Sequence, residues 1–267
     1  ETQKGAYQAK TVIFSTGPIT EPSMPKLKGI ETFKGEMFHS ARWNHDYDLT
    51  AKKIAVIGST GSGKSTLVKL MNRFYDVSRG SIEINGVDIR KYNLESLRTQ
   101  IGYVAQKAHM FKGSIQSNIC FGKPEASVEE MVHAATVAQA SDFISTREYG
   151  YEDEIAEDGT NISGGQKQRL SIARVILKKP SLYIYDDSFS ALDFKTDATL
   201  RKALKPEVKN AIFFVVAQRI STIMDSDMII VLDEGQIIGM GTHAQLLKDC
   251  SVYQEIAHSQ LTQKELD

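Results

Sequence analysis

The sequence predicts an α/β fold in which a mostly parallel sheet is covered by helices. Three observations support this prediction. Strand-like and helix-like segments alternate from Lys53 onward, a pattern typical of parallel sheets with helices on both faces. The first apolar run, residues 54–57, has the composition of a buried strand. A glycine-rich turn then joins this strand to a helix-like segment that begins near Lys64.

The remaining elements continue this alternation along the chain. Strands are predicted at 102–105, 182–185, 212–216, 228–232 and 236–238. Helices are predicted at 64–73, 128–140, 164–178, 196–204 and, after a cap at Thr242, up to Lys248. Glu234 and Gly235 favour a turn that makes the last two strands a hairpin. The mainly helical stretch 107–179 is expected to form an inserted helical subdomain.

Residues 1–53 differ in character from the rest of the chain. Pro18, Pro22 and Pro25 lie close together after one strand-like run, 11–15. Closely spaced prolines interrupt helices and central strands alike, because proline lacks the N–H that both structures use. We therefore expect a strand plus irregular chain here, packed as an extension on a domain formed by residues 54–267.

Composition excludes several classes of protein. The 267 residues include 32 Lys and Arg against 33 Asp and Glu, and a net charge of −1 lacks the basic excess of a dedicated nucleic-acid binder. The apolar runs fall far short of the roughly 20 residues that a membrane-spanning helix needs, so work at a membrane would require a partner. Cys120 and Cys250 are isolated, which favours a reducing, cytoplasmic setting over a disulfide scaffold or a zinc site.

The glycine-rich turn has the residues of a phosphate-binding loop. The segment Gly58-Ser59-Thr60-Gly61-Ser62-Gly63-Lys64-Ser65 matches G-x-x-x-x-G-K-[ST]. Glycines allow successive backbone N–H groups to turn toward phosphate oxygens, and the helix that follows adds its positive N-terminal end. Lys64 is expected to reach the β and γ phosphates, and the Ser65 hydroxyl to bind Mg²⁺. With Thr66, these residues form the predicted nucleotide site of a phosphate-loop NTPase fold.

A dinucleotide-binding fingerprint is the alternative for such a turn, and it fits poorly. That fingerprint requires G-x-G-x-x-G after the strand. Counted from Gly58, the second glycine falls on Thr60; counted from Gly61, the third falls on Thr66. Both registers therefore fail.

Two acidic residues follow the strand predicted at 182–185. An Asp at the carboxyl end of a strand beside a phosphate loop can hold Mg²⁺, and we expect this of Asp186. Asp187 then occupies the position from which a carboxylate orients or deprotonates the attacking water. Two acids after an apolar run are also common at solvated strand ends, and only the neighbouring phosphate loop favours the functional interpretation.

A second glycine-containing segment, Ile162-Ser163-Gly164-Gly165-Gln166, precedes the helix predicted at 164–178. Ser163 is a good N-cap, so one interpretation is simply the start of a helix. The other interpretation is a second phosphate cradle, made from the Ser163 side chain and the glycine amides.

Together these motifs resemble the ATP-binding domains of ABC transporters. The resemblance covers residues 54–261 and rests on the phosphate loop, Gln106, the segment 162–166 (the signature segment), the acidic pair and Ser190-Ala191-Leu192-Asp193, in the family's order. Residues 113–119, 233–235 and 239–243 are similar to the exporter branch. The resemblance implies that two such domains stack head to tail, with ATP and Mg²⁺ between the phosphate loop of one and the signature segment of the other. It also implies that Gln106 links the Mg²⁺ region to a transmembrane partner.

The sequence departs from that family's pattern at its catalytic positions. Asp187 stands where the family usually has Glu, and Gln218 stands where its switch His is expected. A water-orienting group misplaced by ~1 Å can cost about 100-fold in rate, and Gln is not ionisable near neutral pH. Ile162 replaces the usual Leu, a mild change. The substitutions resemble the degenerate half of a heterodimeric exporter and predict weak hydrolysis.

Residues 1–53 resemble a different family. The segment from Phe33 to Trp43 is similar to the F-x-G-x-x-x-H-x-x-x-W fingerprint of Baeyer–Villiger flavin monooxygenases, and residues 16–18 and 49–58 agree with its flanks. The upstream FAD glycines of that family are missing, and the phosphate loop replaces its NADPH glycines. Flavin chemistry is therefore not expected in this chain. His39 and Trp43 are expected to be packing or surface residues and not catalytic ones.

Two hypotheses follow for the function. The first is the ATP-binding module of an ABC exporter, which binds Mg-ATP, hydrolyses it weakly, and acts with a second ATP-binding domain and a transmembrane partner. The second is an engineered or recombined chimera that folds and binds nucleotide without transport or significant hydrolysis. In both hypotheses, the chain lacks the aromatic residue that stacks on the adenine in this family, upstream of the phosphate loop. Trp43 and Tyr47 are candidates to replace it.

Overall fold

The computed structural model describes residues 12–15, 51–59 and 61–261. The strands are β1 (Val12–Ser15), β2 (Lys53–Gly58), β3 (Ser81–Ile84), β4 (Val87–Asp88), β5 (Ile101–Val104), β6 (Gly113–Ser114), β7 (Glu154–Ile155), β8 (Leu182–Asp186), β9 (Ile212–Val216), β10 (Met228–Asp233) and β11 (Gln236–Gly241). The α-helices are α1 (Lys64–Met71), α2 (Leu94–Gln100), α3 (Ile115–Ile119), α4 (Val128–Val137), α5 (Ser141–Ser145), α6 (Gly164–Lys178), α7 (Phe194–Glu207), α8 (Ile220–Ile223), α9 (His243–Asp249) and α10 (Ser251–Gln260).

Six strands form the central sheet, in the order β11-β10-β2-β9-β8-β5. The pairs β10–β2, β2–β9, β9–β8 and β8–β5 are parallel, whereas β11 pairs with β10 in the antiparallel direction. The carboxyl ends of the parallel strands therefore meet at one edge, where Val56 lies beside Val216 and Val104 beside Tyr185. The predicted mostly parallel sheet is confirmed, and this edge gathers the loops that carry the predicted site.

Both faces of the central sheet are buried, because side chains point alternately to its two faces along each strand. In β2, Ile54 and Val56 join an apolar cluster that includes Val68 of α1. Ala55 and Ile57 join the opposite cluster, which includes residues of α6, α7 and α10. Each fully buried aliphatic side chain contributes roughly 1.5–3 kcal/mol of transfer free energy. Packing from both sides thus fixes the strands from which the site loops emerge.

A second, antiparallel sheet has the order β1-β3-β4. Its strand β1 pairs with β3, with Val12 opposite Ile84. The strand predicted at 11–15 is thus confirmed. The other expectations for the N-terminal segment, including those for its prolines, His39, Trp43 and Tyr47, lie outside the described residues.

Between β5 and β8 the chain is mainly helical. The helix α4 packs against α6, and each of the two begins with a reciprocal cap, from Ser127 and Glu130 in α4 and from Ser163 and Gln166 in α6. A short antiparallel ribbon of β6 and β7 lies in the same stretch. The predicted division of the chain at residue 53, and the subdomain boundaries at 107–179, stay predictions.

Two helices end earlier than the sequence pattern predicts, and backbone geometry gives the reason. The helix α1 ends at Met71, and Arg73, which was predicted to be its last residue, has a φ of 49°. The helix α4 ends at Val137, two residues before Gln139, whose φ is 57°. A positive φ is left-handed and cannot continue a right-handed helix. Hydrophobic periodicity carries no direct signal for such a residue.

Candidate nucleotide site

The predicted phosphate loop joins the carboxyl end of β2 to α1. Gly61 and Gly63 have φ values of 87° and 97°, a left-handed conformation that glycine adopts without strain. Gly63 is the N-cap of α1 and offers no side-chain cap to the first N–H groups of the helix. A helix N-terminus left open in this way is a ready site for a phosphate. Thr60 lies outside the described residues.

Contacts with the hairpin of β10 and β11 support the shape of this loop. The Gly235 N–H donates to Ser62 O at 3.0 Å, and Ser59 Oγ donates to Asp233 Oδ1 at 3.3 Å. A Cβ at Gly58 would lie 2.0 Å from a carbonyl oxygen of β10, so only glycine fits where the chain leaves β2. The loop is therefore held from the side of the hairpin before any ligand arrives.

Lys64 folds back over the loop that precedes it. Its ammonium group donates to Gly58 O and Ser59 O, both at 2.7 Å, and to Ser62 Oγ at 3.2 Å. Burial lowers the pKa of Lys64, while the carboxylates at the end of β8 oppose the shift. The ammonium group is thus held against the loop, within reach of phosphates that the loop amides would bind.

Asp186 ends β8 and is buried, with a donor on each carboxylate oxygen. Ser65 Oγ donates to Oδ1 and the Tyr103 hydroxyl donates to Oδ2, each at 3.3 Å. Burial raises the pKa of Asp186, and the hydrogen bonds from Tyr103 and Ser65 oppose that rise. A hydroxyl and a carboxylate side by side are the hard oxygen donors that Mg²⁺ prefers when phosphates supply further ligands. Ser65 and Asp186 therefore fit the predicted Mg²⁺ site.

Asp187 accepts hydrogen bonds from two of the predicted glutamines on a single oxygen. Gln106 Nε2 donates to Asp187 Oδ2 at 3.1 Å, and Gln218 Nε2 donates to the same oxygen at 2.8 Å. The backbone of Asp187 is left-handed, with a φ of 48°, and its N–H donates to Val216 O at 2.8 Å. Burial raises the pKa of the Asp187 carboxyl. The three predicted residues, which follow three different strands, thus form one hydrogen-bonded cluster.

The signature segment begins α6. Ser163 Oγ accepts from the Gln166 N–H at 3.2 Å, and Gln166 Oε1 accepts from the Ser163 N–H at 2.9 Å. Within the part of the chain that the structure describes, no hydrogen bond joins this segment to the phosphate loop. The predicted helix start is confirmed, and the second phosphate cradle stays a prediction. A Cβ on Gly164 would meet open space, so this face of the segment is accessible.

Two side chains outside the predicted set also reach the site. Tyr103 contacts Asp186 from β5, a contact that depends on the pairing of β5 with β8 and has no local sequence signal. Gln260 of α10 donates from Nε2 to Gln218 O at 2.8 Å and accepts from the Ile220 N–H at 2.9 Å. The separation of 42 residues between Gln218 and Gln260 leaves no local sequence signal for this contact.

Comparisons with known proteins give one family for most of the chain. Residues 47–190 match the model of the family described as ABC transporter. An uncharacterized ABC transporter ATP-binding protein of Mycobacterium tuberculosis (strain H37Rv) is 45% identical over 221 residues, covering 80% of this chain and 38% of that protein. A fatty acid ABC transporter ATP-binding/permease protein of Mycobacterium bovis is 38% identical over 248 residues, covering 91% of this chain and 39% of that protein.

The fold also matches a solved structure. A bacterial Atm1-family ABC exporter with ATP bound has a TM-score of 0.78 to this chain at 35% sequence identity, over 83% of this chain and 41% of that one. The phosphate-loop NTPase fold predicted from the sequence is therefore confirmed.

The first part of the chain has a second match. Residues 2–84 match the model described as flavin-binding monooxygenase-like. This match and the ABC transporter match overlap from residue 47 to residue 84, a stretch that contains the phosphate loop. The match includes Phe33 to Trp43, the segment with the sequence resemblance to a flavin monooxygenase.

The ABC transporter match covers more than half of this chain, while the chain spans only 38% and 39% of the two mycobacterial relatives. No helix within residues 51–59 and 61–261 has both the length and the apolar character needed to cross a bilayer. The matched stretch holds the phosphate loop, the acidic pair and the signature segment. The chain therefore belongs to the ABC transporter family and contains its ATP-binding domain.

Proposed function

We propose that the chain is the ATP-binding module of an ABC exporter, which binds Mg-ATP and hydrolyses it slowly. The observation that carries the proposal is the phosphate loop, where the Lys64 ammonium group and the open N-terminus of α1 lie together. A triphosphate suits this place, because its negative charge meets an ammonium group, a helix N-terminus and turned backbone N–H groups at once.

In this proposal, some of the predicted residues bind the phosphates and others bind Mg²⁺. The backbone amides from Gly58 to Ser65 hold the phosphates, and the Thr66 N–H adds to the open helix end. Ser65, Asp186 and Gln106 would hold Mg²⁺. When bound, Mg²⁺ neutralises charge on the β and γ phosphates.

Slow hydrolysis follows from the groups around the expected position of the attacking water. Asp187 is one methylene shorter than Glu, and its Oδ2 already accepts from Gln106 and Gln218. Neither amide can take up a proton. The cluster can orient a water molecule but is poorly built to remove its proton, so we expect turnover well below about 10 per second, a typical enzyme value.

The proposal includes a second ATP-binding domain as partner. The domains would stack head to tail, and Ser163, Gly164, Gly165 and Gln166 of this chain would complete the partner's site. A different chain with the family's usual catalytic Glu and switch His would compensate for the substitutions in this one. We therefore expect a heterodimer.

A transmembrane domain is the other partner that we propose. The Mycobacterium bovis relative carries both functions in its name, ATP-binding and permease, and this chain spans 39% of it. Residues 54–267, with their helical subdomain at 107–179, would then work at the cytoplasmic face of a membrane. Gln106 would connect the Mg²⁺ region to that partner.

A recombined or engineered chimera is the second candidate, and the flavin monooxygenase-like match at 2–84 favours it. In this case residues 1–53 are foreign to the rest, and the chain binds nucleotide without transport or significant hydrolysis. Size-exclusion chromatography with ATP and Mg²⁺ separates the two candidates. An ATP-induced dimer would count against the chimera.

Lys64→Ala tests the nucleotide site itself. Because the ammonium group is the only side-chain cation that the phosphate-loop pattern places on the β and γ phosphates, we expect the variant to lose measurable Mg-ATP binding in isothermal titration calorimetry. Lys209→Ala is the matched control, since Lys209 is exposed and precedes β9 at the opposite edge of the sheet. Unchanged ATP affinity in Lys64→Ala would rule out the proposed site.

A further inference from the structure

Tyr103 occupies a place in β5 from which it reaches the end of β8. In the parallel pairing of the two strands, Tyr103 lies opposite Ile184, two residues before Asp186. Its side chain is half-buried and packs on the apolar cluster that also contains residues of α1. The hydroxyl lies 3.3 Å from Asp186 Oδ2.

One aromatic contact orients the Tyr103 ring. Phe74, just after α1, meets it edge-on, with 5.8 Å between ring centroids and 67° between planes. Phe74 is itself held by the Arg98 guanidinium group, which lies 5.6 Å from the centroid of the Phe74 ring. A phenolic hydroxyl is a donor near neutral pH, and an ionised carboxylate is an acceptor only, so Tyr103 donates to Asp186.

We infer that Tyr103 is a positioning residue for the proposed Mg²⁺ site, holding Asp186 by Oδ2 so that Oδ1 stays on the side of Ser65. This inference rests on the proposed function. Two hydroxyl groups donate to the Asp186 carboxylate. The Ser65 hydroxyl is itself a predicted Mg²⁺ ligand, whereas the Tyr103 hydroxyl is not, so Tyr103 is the donor that orients Asp186. A purely space-filling residue would need the ring but not the hydroxyl. The hydroxyl is the part that the inference concerns.

Tyr103→Phe removes the hydroxyl and keeps the ring on Phe74. The probe is Mn²⁺ in place of Mg²⁺, titrated into the full chain with a non-hydrolysable ATP analogue and followed by electron paramagnetic resonance. Loss of a group that orients a metal ligand typically weakens metal affinity 10- to 100-fold. Because the 3.3 Å bond is long, we expect a loss of about 10-fold, at the lower end of that range. Analogue affinity in EDTA should stay at the wild-type value.

Tyr92→Phe is the matched control, because it removes a tyrosine hydroxyl that donates to Ile84 O at 2.9 Å instead of to a site carboxylate. Mn²⁺ affinity equal to wild type in Tyr103→Phe would overturn the inference, and so would an equal loss of analogue affinity with and without metal. If Tyr103→Phe does not fold, Phe74→Leu removes the ring contact and keeps the hydroxyl. The inference then expects wild-type Mn²⁺ affinity, and a loss of about 10-fold there would overturn it, because the ring contact and not the hydroxyl would orient Asp186. If the wild-type chain binds the ATP analogue with the same affinity with and without Mn²⁺, the proposed Mg²⁺ site is overturned as well.

Discussion

At the scale of single residues, the cluster around Asp187 decides what the site can do. Its two amide donors, Gln106 and Gln218, converge on one carboxylate oxygen. An amide that donates to a carboxylate fixes its position but takes no part in proton transfer. The hydrogen bonds of this cluster form without a bound ligand. Its ability to activate water is limited because the Asp187 side chain is short and because Gln218 cannot gain or lose a proton.

Restoring both groups should accelerate hydrolysis. In Asp187→Glu/Gln218→His, the carboxylate extends by one methylene and the neighbouring side chain becomes ionisable near neutral pH. Correct placement of a water-orienting group is worth about 100-fold per ångström, so we expect ATP turnover to rise by about 10- to 100-fold. Phosphate release, measured on the double variant and wild type at equal concentration, checks this expectation.

The same double variant with Lys64→Ala added is the control, and it should return to background. We expect either single substitution to give less than the double variant, because Glu and His act on the same water. Turnover that stays at the wild-type rate in the double variant, with ATP affinity intact, would show that another feature limits hydrolysis.

At the scale of elements, the helix α10 holds the segment that carries Gln218. The Gln260 amide bridges Gln218 O and the Ile220 N–H, at 2.8 and 2.9 Å. The backbone around Gln218 is thus bound to α10, while the Gln218 side chain donates to Asp187, which follows β8. Movement of α10 relative to the sheet would change the position of Gln218.

Gln260→Ala should release the backbone of this segment. Each lost hydrogen bond contributes about 0.5–1.5 kcal/mol, so we expect faster amide exchange at Ile220 and a drop of about 1–3 kcal/mol in the unfolding free energy. Hydrogen exchange resolved by mass spectrometry across 218–224 gives the readout. Gln254→Ala in the same helix is the control, since Gln254 Nε2 donates to Leu247 O instead. Unchanged exchange at Ile220 in Gln260→Ala would contradict this account.

Elements buried on both faces could be predicted from the sequence, and other elements could not. The runs at 182–185 and 212–216 match β8 and β9 closely, because strands covered on both faces need uninterrupted apolar residues. By contrast, β3 has only four residues, Ser81–Ile84, and α10 has many polar residues. For both of these, pairing or packing with distant parts of the chain decides the structure, and local pattern carries little of that information.

At the scale of the whole molecule, the parallel sheet explains why motifs far apart in the chain form one site. The phosphate loop, Gln106, Asp187 and Gln218 each follow the carboxyl end of a parallel strand, and those ends meet at one edge. Motif spacing could therefore predict these residues before the fold was known. Tyr103 contacts the site from within a strand, so its role depends on strand order, which motif spacing does not give.

In the part of the chain that the structure describes, no hydrogen bond joins the signature segment to the phosphate loop, and in our proposal two domains together form the complete site. Gly164→Asp tests this, because a side chain there enters open space and Asp is favourable in the first turn of a helix, so the fold of this chain should be kept. Facing a partner's ATP, however, the added carboxylate would repel the phosphates. We expect wild type to form a heterodimer with a second ATP-binding domain that carries the family's usual Glu and His, in ATP and Mg²⁺, on size-exclusion chromatography with light scattering. We expect Gly164→Asp to stay monomeric in the same mixture while its own ATP affinity in calorimetry is unchanged. A variant that dimerises like wild type would place the contact elsewhere and leave the proposed head-to-tail arrangement without support.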